Sequence, residues 1–283
     1  MKTQELFKKD MIVSIDGDIN NDAYGVSCDS RTTKKNDLFF AISGFNDDGN
    51  VYINKAIENG ASAIVSESKM QTDNKKISFI RVKNIREAMA YASSAIYGFP
   101  SSKMKVIGIT GTNGKTTICY LLESIFKSAN FKPGAITTIS VRYDDYFDDD
   151  PLNTTPESIK LQGYLADMEK RGVKVAIMEA TSHGLALKRL DCINFDAVLF
   201  TNLTHDHLDF HNNYENYFAS KRYLFAKLLF DESNKNEKFG IACRDDEYGL
   251  RLIREFPDRV FGYSVRQSNE SSAWVSDFYS SID

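Results

Sequence analysis

The segment Gly111-Thr-Asn-Gly-Lys-Thr-Thr117 puts two glycines, a lysine and two adjacent hydroxyls in one short run. An apolar stretch, Val106 to Ile109, precedes it, and an amphipathic stretch from Ile118 to Lys127 follows. Strand, glycine turn and helix in that order make a cradle for phosphate. Backbone N–H groups and the helix N-terminus face the anion, Lys115 reaches the outer phosphates, and the Thr116 hydroxyl can ligate Mg²⁺. Gly111, Thr112, Asn113, Gly114, Lys115, Thr116 and Thr117 are therefore the candidate nucleotide contacts. The longer form of this motif has a glycine five residues before Gly114, where this chain has Ile109, so the match is to the shorter Gly-x-x-Gly-Lys-Thr form. The competing reading is a glycine-rich turn with a surface lysine. The strand before it and the helix after it favour the nucleotide.

Glu179 closes a second apolar run, Val175-Ala-Ile-Met178. That places it at the carboxyl edge of a parallel sheet, where such sheets bind ligands. A strand-end carboxylate in a nucleotide site holds Mg²⁺ directly or through water; the alternative is a helix N-cap. Asp206, His207, Asp209 and His211 follow in the run Thr204-His-Asp-His-Leu-Asp-Phe-His211, which holds three of the chain's four histidines. Imidazoles and carboxylates at such spacings could close on zinc. The phosphate loop calls instead for a hard divalent ion, and no cysteine is near. One histidine with one or two carboxylates around Mg²⁺ or Mn²⁺ is the favoured arrangement. Lys221 lies in Tyr214 to Phe230, a predicted helix with Tyr217, Leu224 and Leu228 on one side. Spacing alone leaves its amine in water and gives no reason to choose it over Lys227.

These groups need elements to hold them. Residues 1–98 read as a small α/β unit. Its predicted strands are Asp37 to Ile42, Ala61 to Val65 and Ile77 to Val82, with helices over Tyr52 to Asn59 and Ile85 to Tyr97. Gly98-Phe-Pro-Ser-Ser102 is the best linker, because glycine and proline end the preceding helix. Residues 99–283 form a second α/β unit that opens with the phosphate loop. Lys174 to Met178 and Asp196 to Phe200 are further strands, and Phe239 to Cys243 and Val260 to Tyr263 are weaker ones. Repeated strand-helix alternation predicts a mostly parallel sheet flanked by helices. Asp144 to Asp150 reads as an exposed acidic turn in a hairpin. Ser268 to Asp283 shows no evident helix or sheet closure.

Composition narrows the function classes. In 283 residues, 39 Asp and Glu against 35 Lys and Arg leave a net charge of -4, which gives no bulk attraction for nucleic acid. Cys28, Cys119, Cys192 and Cys243 are far apart with no Cys-x-x-Cys pair, which fits a reducing compartment. No stretch approaches a membrane span or a signal peptide. A cytoplasmic protein without membrane or nucleic-acid partners is expected.

The motifs together resemble the Mur ligases. Thr110 to Thr117, Asn153-Thr-Thr-Pro-Glu157, Glu179-Ala-Thr-Ser-His-Gly184, Phe200 to His211 and Ala219-Ser-Lys-Arg222 occur in that family's order. Asp29-Ser-Arg31 with Asp37 to Ile42 is similar to the start of its N-terminal domain. Among members, the chain looks like the UDP-N-acetylmuramoyl-tripeptide synthetases. The resemblance implies ATP-driven addition of diaminopimelate or lysine to UDP-N-acetylmuramoyl-L-alanyl-D-glutamate through an acyl phosphate, by a monomer. It implies that Ser30 and Arg31 hold the uridine nucleotide, across an interdomain cleft from Thr154, Thr155 and Arg189, and that Thr181 also contacts that substrate. Thr116, Glu179, His207 and Lys221 would hold Mg²⁺, with Lys221 carbamylated by CO₂, and Asp246 would lie on the nucleotide side. Three positions depart from the family pattern: Thr181 replaces a usual serine, Leu187 a frequent polar residue and Arg244 a common asparagine. Members also continue into a third domain that holds the amino acid and closes over ATP. A chain ending at Asp283 is expected to lack it. The alternative function is then a shortened homologue that binds nucleotide or UDP-sugar without joining an amine.

Overall fold

A computed structural model describes residues 1–44, 48–69, 77–149, 151, 153–230, 235–265 and 271–274. The chain divides into two compact units. The first comprises Met1–Pro100 with two later pieces, Glu157–Ala166 and Leu187–Cys192, and the second takes the rest.

The first unit is built on strands β1 (Ile12–Asp16), β2 (Gly25–Ser27), β3 (Asp37–Phe40), β4 (Ala63–Ser66) and β5 (Ser78–Val82) in the order β1-β5-β4-β3-β2. Only the β1-β5 pair in this sheet is antiparallel. Alternation along β3 explains why every residue in Leu38-Phe-Phe40 is apolar. Leu38 and Phe40 pack with Leu6, Phe7 and Met89 on one face, while Phe39 packs with Ile53 and Ala56 on the other. The two covering helices are α1 (Ile53–Glu58) and α2 (Ile85–Ile96), and the Asn84 side chain caps α2 by accepting from the amides of Arg86 and Glu87.

Among the described residues the second unit holds nine strands: β6 (Lys105–Thr110), β7 (Pro133–Ile136), β8 (Val141–Tyr143), β9 (Tyr146–Asp148), β10 (Val175–Glu179), β11 (Ala197–Phe200), β12 (Phe239–Cys243), β13 (Val260–Ser264) and β14 (Ala273–Trp274). Their order is β14-β13-β12-β11-β6-β10-β7-β8-β9. All pairs from β14 to β7 are parallel, and β8 and β9 add an antiparallel hairpin. Asp144 and Asp145 turn that hairpin as expected, with Asp144 at φ +51°; Asp150 lies outside the described residues. The expectation of no sheet closure after Ser268 is corrected at Ala273–Trp274, which pair with β13. The rest of that segment beyond residues 271–274 lies outside the described residues.

Helices of the second unit are α3 (Lys115–Ser128), α4 (Ser158–Lys170, whose first part belongs to the first unit), α5 (Ser182–Ala186), α6 (Leu208–His211), α7 (Tyr214–Tyr223) and α8 (Glu247–Glu255). α3 packs through Cys119, Ile118, Leu122 and Phe126 on Ile107, Ile109, Val175 and Ile177 of β6 and β10. The single helix expected over Tyr214 to Phe230 is instead α7 followed by a π-helical turn, Leu224–Leu229, which starts three residues after Lys221. Such turns are frequent at functional sites. The strand order places β6, the first of this sheet, between β10 and β11. Chain order reverses there, so the carboxyl ends of β6, β10 and β11 open on a common crevice.

Candidate functional site

The phosphate loop fills that crevice. Gly111 adopts φ +142°, and a Cβ there would lie 1.9 Å from Thr201 Oγ1, so a side chain is excluded. Gly114, at φ +86°, caps α3, and the first amide to find a carbonyl in the helix is that of Ile118, on Gly114 at 3.0 Å. The amides of the first turn therefore remain available to an anion at the helix's positive end. Ile109, which departs from the longer motif, is a fully buried residue of β6 paired with Glu179, so the turn begins only at Gly111.

Residues 201–204, just past β11, clamp the loop. The Thr112 amide donates to Asn202 O at 2.8 Å, the Asn113 amide to Asn202 Oδ1 at 3.0 Å, and Thr201 Oγ1 to Asn113 O at 2.7 Å. Thr112 Oγ1 in turn accepts from the Thr204 amide at 3.0 Å. Lys115, the first residue of α3, folds back to donate to Gly111 O at 3.0 Å and Thr112 O at 2.7 Å. Burial lowers its pKa, against the pull of Glu179 and Asp206.

Glu179 is buried at the tip of β10 and does not cap a helix. Its carboxylate accepts from Thr116 Oγ1 at 2.7 Å, the Thr138 amide at 2.9 Å and Thr138 Oγ1 at 3.1 Å. The hydroxyl and the carboxylate expected to share a cation are thus adjacent, with Lys115 next in sequence to Thr116.

Lys221 differs most from its sequence reading. Its side chain is 1% exposed rather than solvated, and Nζ donates to Gly111 O at 2.8 Å. Burial drives its pKa well below the ordinary lysine value, and the nearby Lys115 charge pushes the same way. His207 stands at φ +50° ahead of α6, its amide donating to Asp206 Oδ1 at 2.9 Å and its Nε2 3.3 Å from Asp206 Oδ2. A non-glycine residue in that region of backbone space carries strain, which collects at functional sites. The His183 ring lies edge-on to His207 with centroids 4.7 Å apart. Asp209 is exposed on α6, whereas His211 is buried. Burial first, then His183, Lys221 and His207, pull His211 down to about 4, so it is a neutral imidazole. Among the described residues no group of three or more His, Cys, Asp or Glu side chains is arranged to hold a metal. Thr116 Oγ1 and the Glu179 carboxylate are two oxygen-bearing groups in direct contact beside the loop.

Residues 109–281 match the family description "Mur ligase middle domain", and residues 22–97 match "Mur ligase family, catalytic domain". The chain belongs to the Mur ligase family. It is 42% identical over 278 residues to a UDP-N-acetylmuramoyl-L-alanyl-D-glutamate--2,6-diaminopimelate ligase of Clostridium tetani, covering 96% of this chain and 55% of that protein. The ligase of the same name from Geobacter sulfurreducens is 38% identical over 265 residues, covering 94% and 52%. A solved structure bearing that enzyme name superposes with a TM-score of 0.82 at 26% identity, over 98% of this chain and 55% of that one. The chain spans about half the length of the curated relatives it matches. Among the described residues no helix is long and apolar enough to cross a membrane.

The remaining residues that the resemblance singled out fall in two groups. In the first unit, Ser30 and Arg31 line a cavity of about 390 Å³ with Cys28, Asp29, Ile42, Gly49 and Tyr52. The exposed Arg31 is held by Asp29 at 2.7 Å, and buried Ser30 offers its carbonyl to Asn59 Nδ2 at 2.7 Å. Arg189, also of the first unit, pairs with Glu157 at 2.5 Å. In the second unit, Thr155 is buried and donates to Glu179 O at 2.9 Å, while its Oγ1 receives the Thr181 amide and hydroxyl at 3.1 and 3.0 Å. Thr154 is half-buried beside it. Asp246 caps α8, accepting from the amides of Tyr248 and Gly249, and its other oxygen receives the Leu203 amide at 2.9 Å. Its carboxylate therefore braces the 201–204 clamp from behind.

Thr138, Thr201, Asn202, Thr204 and Tyr217 carried no assigned role in the sequence reading. For Thr201, Asn202 and Thr204 the available signal was hydroxyls and an amide directly after the predicted strand Asp196 to Phe200, where backbone polar groups of a phosphate loop need partners; Thr138 and Tyr217 carried no such signal.

Proposed function

We propose that the chain forms the nucleotide-handling part of an ATP-dependent ligase that adds diaminopimelate or lysine to UDP-N-acetylmuramoyl-L-alanyl-D-glutamate. The observation that carries this reading is the Thr116–Glu179 contact at the mouth of a loop whose Lys115 opens α3. The similar ligases of Clostridium tetani and Geobacter sulfurreducens, named for 2,6-diaminopimelate, support it on the diaminopimelate side. The dipeptide's carboxylate attacks the γ-phosphoryl group of ATP, releasing ADP and leaving an acyl phosphate, from which the incoming amine displaces phosphate. Two weak nucleophiles meet while charge builds on the transferred group, so positioning and charge stabilisation supply the rate.

The chain's own groups suit those tasks. First-turn amides of α3 receive phosphate oxygens, and Lys115 exchanges its bonds to Gly111 and Thr112 for the outer phosphates. Thr116 and Glu179, two hard oxygen donors in contact, fit Mg²⁺, and His207 and a carbamylated Lys221 would serve as its further ligands. Mg²⁺ bound there would neutralise charge on the transferring phosphoryl group. Lys221 fits carbamylation because burial favours the neutral amine, whose lone pair attacks the carbon of CO₂ and whose proton leaves to solvent. Ser30, Arg31 and Arg189 would engage the UDP moiety, with Thr154, Thr155 and Thr181 contributing hydroxyls. Asp246 acts on the nucleotide side by holding the clamp. The protein would work as a monomer in the cytoplasm.

The test supplies the purified protein with ATP, Mg²⁺, bicarbonate and the UDP-linked dipeptide, with and without diaminopimelate or lysine, and follows ADP and tripeptide separately. Dipeptide-dependent ADP formation is expected. Nucleotide binding without any dipeptide-dependent ADP would favour the binding-only alternative, and absence of both nucleotide and UDP-sugar binding would overturn both.

A further inference from the structure

Tyr217 is 1% exposed, among the largest fully buried side chains of the molecule, yet it ends in a polar group. A phenol in such a place needs a partner for its proton. Its Oη lies 3.2 Å from Thr112 Oγ1. Thr112 Oγ1 already receives the Thr204 amide at 3.0 Å, and the Thr204 carbonyl lies 3.4 Å away as an acceptor for the threonine's own proton. All of these groups are satisfied together when Tyr217 donates and Thr112 accepts. One turn later on the same face of α7, Lys221 sends Nζ over the Tyr217 ring, 4.4 Å from its centroid, and on to Gly111 O. The helix therefore grips two consecutive loop residues with two side chains four positions apart. The His211 ring also packs on that of Tyr217, with centroids 5.1 Å apart.

We propose that Tyr217 is a positioning residue for the nucleotide site: its hydroxyl fixes Thr112 of the phosphate loop, and its ring carries the amine of Lys221. The proposal rests on the nucleotide reading given above. Tyr217 touches no reacting atom. It sets the loop carbonyls and amides before the nucleotide arrives, so that less ordering is required on binding.

Tyr217→Phe separates the two contributions, because it keeps the ring beneath Lys221 and removes only the hydroxyl. Two readouts apply. In the nucleotide-free protein, hydrogen exchange at the Thr112 and Thr204 amides is expected to quicken about tenfold, with the melting temperature little changed. In titrations with ATP and Mg²⁺, affinity is expected to weaken about fivefold to tenfold, the scale of one neutral hydrogen bond. In a Thr112→Val background the same substitution is expected to add almost nothing, since its partner is gone. Unchanged exchange at both amides in Tyr217→Phe would overturn the proposal and leave the ring as packing alone. Additive losses in the double variant would overturn it too. If the parent binds no nucleotide, the nucleotide reading falls, while the exchange measurement still decides the role of Tyr217.

Discussion

Lys115 and Lys221 donate to the same carbonyl oxygen, that of Gly111, at 3.0 and 2.8 Å. Burial first, then the Lys115 charge beside it, disfavours the charge on Lys221, so Lys221, the more deeply buried, yields its proton more readily. The loop carbonyl thus holds one lysine beside another whose neutral form is favoured. Gly111 is the hinge of both contacts, and it belongs to a turn that only a glycine can make.

Replacing Lys221 tests the cost of that arrangement. Its folded-state pKa lies below its unfolded value, so the unfolded chain binds more protons between the two, and Lys221's penalty shrinks as pH rises toward the unfolded value. Lys221→Met leaves Lys115 on the Gly111 carbonyl. It is expected to raise the melting temperature at pH 7 by roughly 2–4 °C, the equivalent of about 1 kcal/mol, and by less at pH 10. Thermal melts across pH check this, and an advantage that grows with pH would contradict it.

Glu179→Gln removes the charge that collects Thr116 and both donors of Thr138. An amide presents a donor where the carboxylate offered an acceptor. Affinity for ATP in the presence of Mg²⁺ is expected to fall at least about tenfold, whereas ADP binding in chelator should change little. Calorimetry with and without Mg²⁺ measures both. Equal losses in the two conditions would remove the cation from the role of Glu179.

The two loop glycines should not behave alike. Gly111→Ala combines a left-handed backbone with a Cβ against Thr201 Oγ1, and a loss of about 2–4 kcal/mol is expected. At Gly114 the nearest atom to an added Cβ is 3.9 Å away, so only the backbone term of about 1 kcal/mol remains. Denaturant unfolding of both variants gives the comparison, and equal losses would contradict it.

Cys28 reports on the cavity beside Ser30 and Arg31. Burial first, then Glu157 and Asp29, push its thiol up to about 11. Roughly one molecule in a thousand is thiolate at pH 8, and alkylation is expected to quicken about tenfold per pH unit up to pH 10. The UDP-linked dipeptide should protect Cys28, read by mass spectrometry of iodoacetamide-treated protein. Labelling that ignores the ligand would count against this cavity as the UDP site.

What the sequence made legible was local. The phosphate loop and Glu179 could be read because strand, turn and helix follow one another within a few residues, and polar residues at strand ends mark a sheet's ligand edge. The burial of Lys221 could not be read from spacing, since it comes from α7 packing on a loop 110 residues earlier. Family resemblance pointed to that lysine; tertiary packing explains its lowered pKa. The same distance hid the Tyr217–Thr112 bond and the role of Asp246 behind Leu203. Arg189 grouping with the first unit was equally invisible, because it depends on Glu157–Ala166 and Leu187–Cys192 joining Met1–Pro100. β14 was missed because two residues are too few to show a period.

The central claim is that residues 111–117 with Glu179 form a working nucleotide site in which Lys115 meets the outer phosphates. Calorimetric titration of the parent and of Lys115→Ala with ATP and Mg²⁺ tests it most directly. Saturable binding by the parent, weakened roughly 10-fold to 100-fold in the variant at unchanged melting temperature, is the expected result, on the scale of one charge-assisted contact. Equal affinity in the two proteins, or no binding by the folded parent, would contradict it.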